Sequence, residues 1–197
     1  MNILARAAEA IILDKGHYII KKRIKKGYRI KNLDIKLRKE RTNLEYKLIT
    51  RARRIGVNVP SLMNKNTYEI RMEKIGGSAV KNILNKKNLE FIAKEIGRQL
   101  ACLHKYDIVH GDLTTSNMIF FNNKVYFIDF GLGYFSQRIE DKATDLYLLK
   151  QAVMSKHAKF FNTFYNLIIK EYKKNYDNSE NVLKRLETIE KRRRYTI

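Results

Sequence analysis

Residues 110–117 read His-Gly-Asp-Leu-Thr-Thr-Ser-Asn, and Asp129-Phe130-Gly131 follows twelve residues after Asn117. Carboxylate and amide oxygens are hard ligands that suit magnesium. Transfer of a γ-phosphoryl group needs metal ions to neutralise the phosphate oxygens. Asn117 and Asp129 can supply such oxygens. Asp112 stands on the same loop, where it can accept or orient the proton of an attacking hydroxyl or water. Asp and Asn also serve as turn residues and helix caps. Two motifs in this order, flanking a short hairpin, favour phosphoryl-transfer chemistry over that plainer use.

Such chemistry needs a lysine for the phosphates, held by a glutamate on the following helix. Lys21 follows Tyr18-Ile19-Ile20 on a predicted strand. Lys22 is adjacent, and strand alternation sends the two to opposite faces, with Lys21 the favoured candidate. Glu45 lies mid-helix and is preferred over Glu40 as the partner. Its plainer alternative is a surface ion pair with Arg41. Asp145 either anchors the catalytic loop from its helix or caps that helix. His110 is read as a brace for the loop, His17 and His157 as surface residues, and Cys102 as a small core residue. Ser136 and Ser155 are weak candidates for phosphorylation.

The elements that must position these residues fall in two groups. Residues 2–6, 10–13 and 17–23 are short, Ile- and Tyr-rich runs separated by turn residues, with Asp14-Lys15-Gly16 between the last two. Residues 33–55 carry Leu33, Leu37, Leu44, Leu48, Ala52 and Ile55 at helical spacing, and Gly56 is a plausible stop. A second strand pair is predicted at 61–63 and 67–74 around Asn64-Lys65-Asn66. Gly76-Gly77 marks the expected boundary between a strand-rich lobe, 1–75, and a helical lobe, 76–197. In the latter, 88–106 reads as an amphipathic helix and 108–117 as a loop. Strands follow at 118–121 and 125–129 with an Asn122-Asn123 hairpin turn. Helices are expected at 141–154, 157–176 and 179–194. The predicted class is α+β, a strand-rich lobe followed by a helical one.

Composition narrows the partners. The 197 residues carry 41 Lys plus Arg against 20 Asp plus Glu, a formal net charge of +21. Between residues 15 and 54 there are 16 basic and 3 acidic side chains, and 191–194 is Lys-Arg-Arg-Arg. Such a chain is drawn to polyanions, nucleic acid among them. Lys25, Lys26, Arg29, Lys191, Arg192, Arg193 and Arg194 are the candidate nucleic-acid contacts, with Tyr28, Tyr46 and Tyr195 available to stack on bases. The plainer reading of the charge is a solvated Lys-rich surface. No apolar run exceeds four residues, far short of the roughly 20 that span a bilayer. No signal-peptide core is visible, because Arg6, Glu9 and Asp14 interrupt it. The single cysteine excludes an internal disulfide and suits a reducing cytoplasm.

Two features depart from ordinary kinases. None of the nine glycines forms a G-x-G-x-x-G loop; Ala7-Ala8-Glu9 occupies the turn between the first two strands. The only proline, Pro60, precedes the catalytic loop, so no A-P-E motif exists. The stretch between Gly131 and Asp141 is too short for a long regulated activation segment.

With those features the chain resembles the small atypical kinase subunit of the KEOPS (EKC) complex, a relative of the RIO kinases. The matching pieces are Ala8-Glu9-Ala10, Ile20-Lys21-Lys22-Arg23, Lys26-Gly27-Tyr28-Arg29, Leu33-Asp34, Arg41-Thr42 with Glu45, and Gly56-Val57 with Pro60. They continue through Met72-Glu73, HGDLTTSN, Ile128-Asp129-Phe130-Gly131-Leu132-Gly133, Glu140-Asp141-Lys142 and Asp145-Leu146-Tyr147. An arginine, Arg6, and Ala7 stand where the family usually has a glycine before Ala-Glu-Ala. The resemblance implies a minimal bilobal protein-kinase-like fold with a truncated helical C-lobe, and a Ser/Thr kinase with ATPase activity that uses ATP and Mg2+. It implies that Lys21 contacts phosphates and pairs with Glu45, that Ala7, Ala8, Glu9, Met72, Glu73 and Ile75 border the nucleotide, and that Asp112 is the catalytic Asp. Asn117 and Asp129 would bind metal. It further implies support of threonylcarbamoyladenosine synthesis on tRNA, with the threonylcarbamoyl-transferase subunit, in trans or fused, and a small accessory subunit as partners. Two alternatives stand beside it: a small-molecule kinase of aminoglycoside-phosphotransferase type, which shares the H-G-D-x-x-x-x-N loop, and a non-catalytic tRNA-binding scaffold.

Overall fold

The computed structural model describes residues 2–6 and 9–194. Strands β1 (Asn2–Arg6), β2 (Ala10–Asp14), β3 (Tyr18–Arg23), β4 (Leu62–Lys65) and β5 (Glu69–Glu73) form an antiparallel sheet in the order β1-β2-β3-β5-β4. The β2–β3 turn closes because Gly16 takes φ +80°, where a Cβ is unfavourable, and its N–H donates to Asp14 Oδ1 at 2.9 Å. The register sets Lys21 opposite Ile12 on one side and Ile70 on the other, in the middle of the sheet.

Helix α1 (Lys31–Arg54) follows β3 and carries few apolar residues. Leu48, Ile49 and Ala52 bury in the core, while Asp34, Thr42 and Glu45 bury as polar groups on the same side. It ends where Gly56 turns to φ +84° and the Val57 N–H returns to the Ala52 carbonyl. The segment beyond is tied to the second half of the molecule by Gln99. Its Oε1 accepts from Asn58 N–H at 2.7 Å and its Nε2 donates to the Val125 carbonyl at 2.8 Å.

The second group comprises β6 (Ser78–Ala79), α2 (Val80–Ile83), α3 (Leu89–Lys105), β7 (Ile108–Val109), β8 (Met118–Phe121), β9 (Lys124–Phe127), β10 (Tyr134–Phe135), α4 (Ile139–Lys156), α5 (Phe161–Asn175) and α6 (Ser179–Arg194). Strands β6, β8 and β9 form a small sheet in that order. Asn122 and Asn123, at φ 47° and 54°, make the tight β8–β9 turn, as a type I′ connection requires. Helix α3 packs on α5, and α4 on α6. Ile92, Ile96, Leu100 and Leu103 of α3 meet Ile168 and Tyr172 of α5 within one continuous core.

The fold class agrees with the sequence expectation, and several local details differ. The second strand pair turns at residues 66–68, not around residues 64–66. Strand β4 continues through Lys65, with a register shift between Leu62 and Asn64. Asn66 Oδ1 holds the turn by accepting from the N–H groups of Tyr68 and Glu69. The expected loop at 108–117 opens with a two-residue strand, β7, paired to β10; two residues are too few for a period to show. His157 is buried, not at the surface, and its ring bonds Thr115 Oγ1 at 3.2 Å. Cys102 is half-buried at the edge of the core, its thiol donating to the Ile55 carbonyl. Among the described residues, no helix is long and apolar enough to cross a membrane.

Candidate active site

Strand β3 places Lys21 where two acidic groups converge. Its ammonium donates to Glu45 Oε1 at 2.5 Å and to Asp129 Oδ1 at 2.6 Å. Glu45 comes from the inner face of α1 and is 1% exposed, which sets aside the alternative of a surface pair with Arg41. Arg41 instead bonds Glu9 at 2.9 Å. Lys22 points to the opposite face and pairs with Glu69, while Glu40 lies exposed. Burial disfavours the Lys21 charge, yet the Glu45 and Asp129 carboxylates outweigh it and hold the ammonium above the ordinary lysine value. Burial likewise opposes ionisation of Asp129, and Lys21 beside it wins, keeping the carboxyl below its usual range.

Asp129 takes φ +63°, a conformation that an L-residue holds only when its surroundings fix it. Its Oδ1 accepts both Lys21 and the Gly131 N–H at 3.2 Å. Asp112, on the loop 110–117, lines the same cleft as Asp129. The Asn117 amide nitrogen donates to Asp112 Oδ2 at 2.8 Å and to its carbonyl at 2.9 Å. Lys21, Asp112 and Asp129 line one shared cleft, of ≈ 320 Å³, with Glu9, Arg23 and Arg41.

The loop that carries Asp112 is held from below. Asp145 lies mid-helix in α4, so it anchors rather than caps. Its Oδ2 accepts the His110 N–H at 2.6 Å and its Oδ1 the Gly111 N–H at 2.9 Å. His110 Nε2 bonds the Ile128 carbonyl at 3.0 Å, which leaves Nδ1 as acceptor for the Asp112 N–H at 3.3 Å. Behind Asp145, His104 is fully buried, and burial pushes its pKa down. The neutral tautomer that satisfies both neighbours donates from Nε2 to Asp145 and accepts the Tyr172 hydroxyl at Nδ1.

On the other side of Lys21 a cleft of ≈ 280 Å³ opens, lined by Ile12, Ile19, Met72, Ile75, Ile119 and Ile128 together with Glu73, Asn117 and Asp129. Its apolar walls suit a flat heteroaromatic ring. Glu73 spends its carboxylate on the Ser61 N–H and hydroxyl. Ala7 and Ala8 lie outside the described residues. Glu9 is bound by Arg29, at 2.7 Å, as well as by Arg41, and these cations hold its carboxyl below the usual range.

The charged residues proposed for nucleic acid are scattered in environment. Lys25, Lys191 and Arg192 are exposed and Lys26 is half-buried. Arg29 is committed to Glu9. The Arg193 and Arg194 backbones end α6, and Tyr195 lies outside the described residues. Tyr28 is 78% exposed. Two cations at the site escaped the sequence reading, Arg23 and Arg41. Arg23 was findable: it lies two residues from Lys21, hence on the same strand face.

A family model described as the RIO domain matches residues 14–151. The chain is 45% identical over 184 residues to the KEOPS complex subunit Bud32 of Pyrococcus abyssi, covering 90% of this chain and 84% of that protein. It is 40% identical over 201 residues to a probable bifunctional tRNA threonylcarbamoyladenosine biosynthesis protein of Methanococcus maripaludis, of which it spans only 36%. Among solved structures, the Rio2 kinase of Chaetomium thermophilum in its ADP/Mg2+-phosphoaspartate complex aligns with a TM-score of 0.67 at 15% identity, over 98% of this chain and 70% of that one. That last likeness speaks to the fold. With the fold, the site and a relative matched over most of both lengths, the chain belongs to the RIO-domain family of atypical kinases, in the group of KEOPS-complex Bud32 subunits.

Proposed function

We propose that this chain binds ATP with Mg2+ between a strand-rich lobe ending near residue 75 and the helical lobe that follows. It would transfer the γ-phosphoryl group to serine or to water, in support of threonylcarbamoyladenosine synthesis on tRNA. The observation that carries the reading is the single Lys21 ammonium bridging Glu45 and Asp129, with the bonded pair Asp112–Asn117 contributing one residue to each of the two clefts that meet at Lys21.

The donor set fits the metal. Asn117 uses its amide nitrogen on Asp112, which leaves the amide oxygen; Asp129 uses Oδ1 on Lys21, which leaves Oδ2. Among the described residues no cluster of three or more His, Cys, Asp or Glu side chains could hold a metal by itself. Two hard oxygens suit an ion that arrives on a triphosphate and keeps its other ligands as phosphate and water. Bound there, Mg2+ would neutralise charge on the phosphate oxygens. Lys21 would hold the phosphates, and Glu45 would fix the direction of Lys21. Asp112 would orient the attacking hydroxyl or water and receive its proton. Ile12, Ile19, Met72 and Ile75 would enclose the adenine, with Glu73 at the rim.

We propose as partners a threonylcarbamoyl-transferase subunit, in trans or fused, a small accessory subunit, and tRNA; the KEOPS-complex and bifunctional names of the relatives support partnership within a complex. We place this work in the cytoplasm. Phosphate release from MgATP tests the reading, for the wild type and Asp129→Ala, with and without bulk tRNA and the transferase subunit. Release that requires Asp129 and rises with tRNA and partner is the expected result. Absence of turnover under every condition, with salt-sensitive tRNA binding intact, would replace the enzyme with a basic scaffold. Turnover indifferent to tRNA but stimulated by an amino-sugar acceptor would move the chain to the small-molecule kinases.

A further inference from the structure

Glu45 is served by two cations. Lys21 Nζ reaches its Oε1 at 2.5 Å, and Arg23 Nη2 reaches its Oε2 at 2.7 Å. The three side chains are 7%, 3% and 1% exposed, so water screens little of the interaction. Lys21 has a second duty, to Asp129 Oδ1 at 2.6 Å. Among the described residues the Arg23 guanidinium has no hydrogen-bond partner outside α1: its other one is the Arg41 carbonyl, one turn before Glu45, at 3.5 Å. Both cations border the same corner of the cleft. A Cβ placed on Gly131 would lie 3.3 Å from Lys21 Nζ and 3.5 Å from Arg23 Nη2.

The charges of this quartet balance, two cations against two carboxylates, with only Asp129 open to the cleft, 39% exposed, before any nucleotide arrives. A polyphosphate changes the balance. An ammonium drawn to phosphate oxygens weakens its hold on Glu45, and a buried carboxylate left without its cation is strongly destabilising. Arg23 meets that need. A guanidinium stays charged under all ordinary conditions and presents several donors in a fixed fork, so it can grip the Glu45 carboxylate and the α1 backbone together.

We propose that Arg23 is a positioning residue that keeps Glu45, and with it α1, docked against the sheet while Lys21 turns to the phosphates of the bound nucleotide. The proposal rests on the nucleotide-binding reading above and deepens it. It divides two tasks that one lysine would otherwise carry alone: Lys21 serves the nucleotide, Arg23 serves the helix.

The test compares wild type, Arg23→Met and Arg23→Lys by MgADP binding and by hydrogen exchange of α1 amides, each with and without nucleotide. Wild-type α1 exchange should be the same in both states. Arg23→Met should bind MgADP about tenfold more weakly, and its α1 amides should exchange faster with nucleotide than without. Arg23→Lys, which restores a cation, should recover both properties. A residue that merely supports the fold would loosen α1 equally in both states, and that result, or wild-type binding by Arg23→Met, overturns the proposal. If the wild type itself binds no nucleotide, the functional reading falls first and is recognised as such. Should Arg23→Met not fold, Arg23→Gln is read by the same two criteria. If neither folds while Arg23→Lys does, Arg23 belongs to the fold alone and the proposal is overturned.

Discussion

Gly111 shows how narrowly single residues are specified around Asp112. It takes φ +78°, and a Cβ there would lie 2.2 Å from the Leu132 carbonyl oxygen. Any side chain must push the catalytic loop away from the segment after Asp129. A displacement of about 1 Å can cost about 10²-fold in rate, so Gly111→Ala should lower phosphate release from MgATP by about that factor. Thermal melts should show the rest of the molecule still folded. Asp112→Asn leaves the loop geometry in place and removes the proton acceptor. Its turnover should fall by about 10²–10⁴-fold with MgADP affinity unchanged, measured by steady-state kinetics and calorimetry. Of the candidates read from sequence, Lys21 follows an apolar strand run, and Asp112, Asn117 and Asp129 stand in motifs with fixed spacing. Arg41 does not, and its pairing with Glu9 joins positions 32 residues apart that no local pattern connects. His157 was misjudged for a related reason: a lone polar residue between helices looks exposed until Thr115 is found beside it.

Elements depend on contacts of two kinds, close backbone approach and buried charge. Helix α3 can pack on α5 because position 97 is glycine. A Cβ there would meet the Ile168 carbonyl oxygen at 2.5 Å and Glu171 Cβ at 2.9 Å. Gly97→Ala should therefore destabilise the protein by about 1–3 kcal/mol despite alanine's better helix propensity, read as a lower midpoint in urea. Helix α1 begins with a buried acid. Asp34 accepts the Lys26 N–H at 3.2 Å and Arg38 Nε at 2.7 Å, and it lies in the first turn, where the helix dipole favours negative charge. Burial raises its pKa, while the Lys26 N–H and Arg38 outweigh this and lower it below 3.8. A depressed folded-state pKa gives stability that is complete above the unfolded value and disappears as pH falls through the folded one. The wild type should thus lose stability on acidification below about pH 4. Asp34→Asn, already lacking that contribution, should melt lower at pH 7 and show a flatter melting profile on the acid side.

At the scale of the molecule, charge decides what approaches. Much of the net +21 lies on exposed lysines and arginines, while the buried Arg23 is spent on Glu45 and the half-buried Arg29 on Glu9. Exposed cations such as Lys25 and Lys191 are placed to meet a polyanion. Binding of bulk tRNA should weaken linearly in log affinity against log salt. Replacing the exposed Lys25 and Lys191 by alanine should reduce the steepness of that plot by about 2 without altering tRNA-independent turnover. A slope equal to that of the wild type would remove both residues from the contact.

The sequence by itself placed the main strands and helices, because hydrophobic periodicity and turn residues mark them, and it showed the short motifs HGDLTTSN and Asp129-Phe130-Gly131 that carry much of the family resemblance. It also set Lys21 and Lys22 on opposite faces, since a strand alternates, and favoured Lys21; the structure shows Lys21 as the inward one. Tertiary structure alone decided that Asp145 anchors the loop through the His110 and Gly111 N–H groups, that Glu45 shares two cations, and that Arg29 is occupied by Glu9. Each of these joins residues 20 or more positions apart. Which distant charges meet depends on how helices pack on the sheet, and packing is a property of the whole core rather than of any local run of residues.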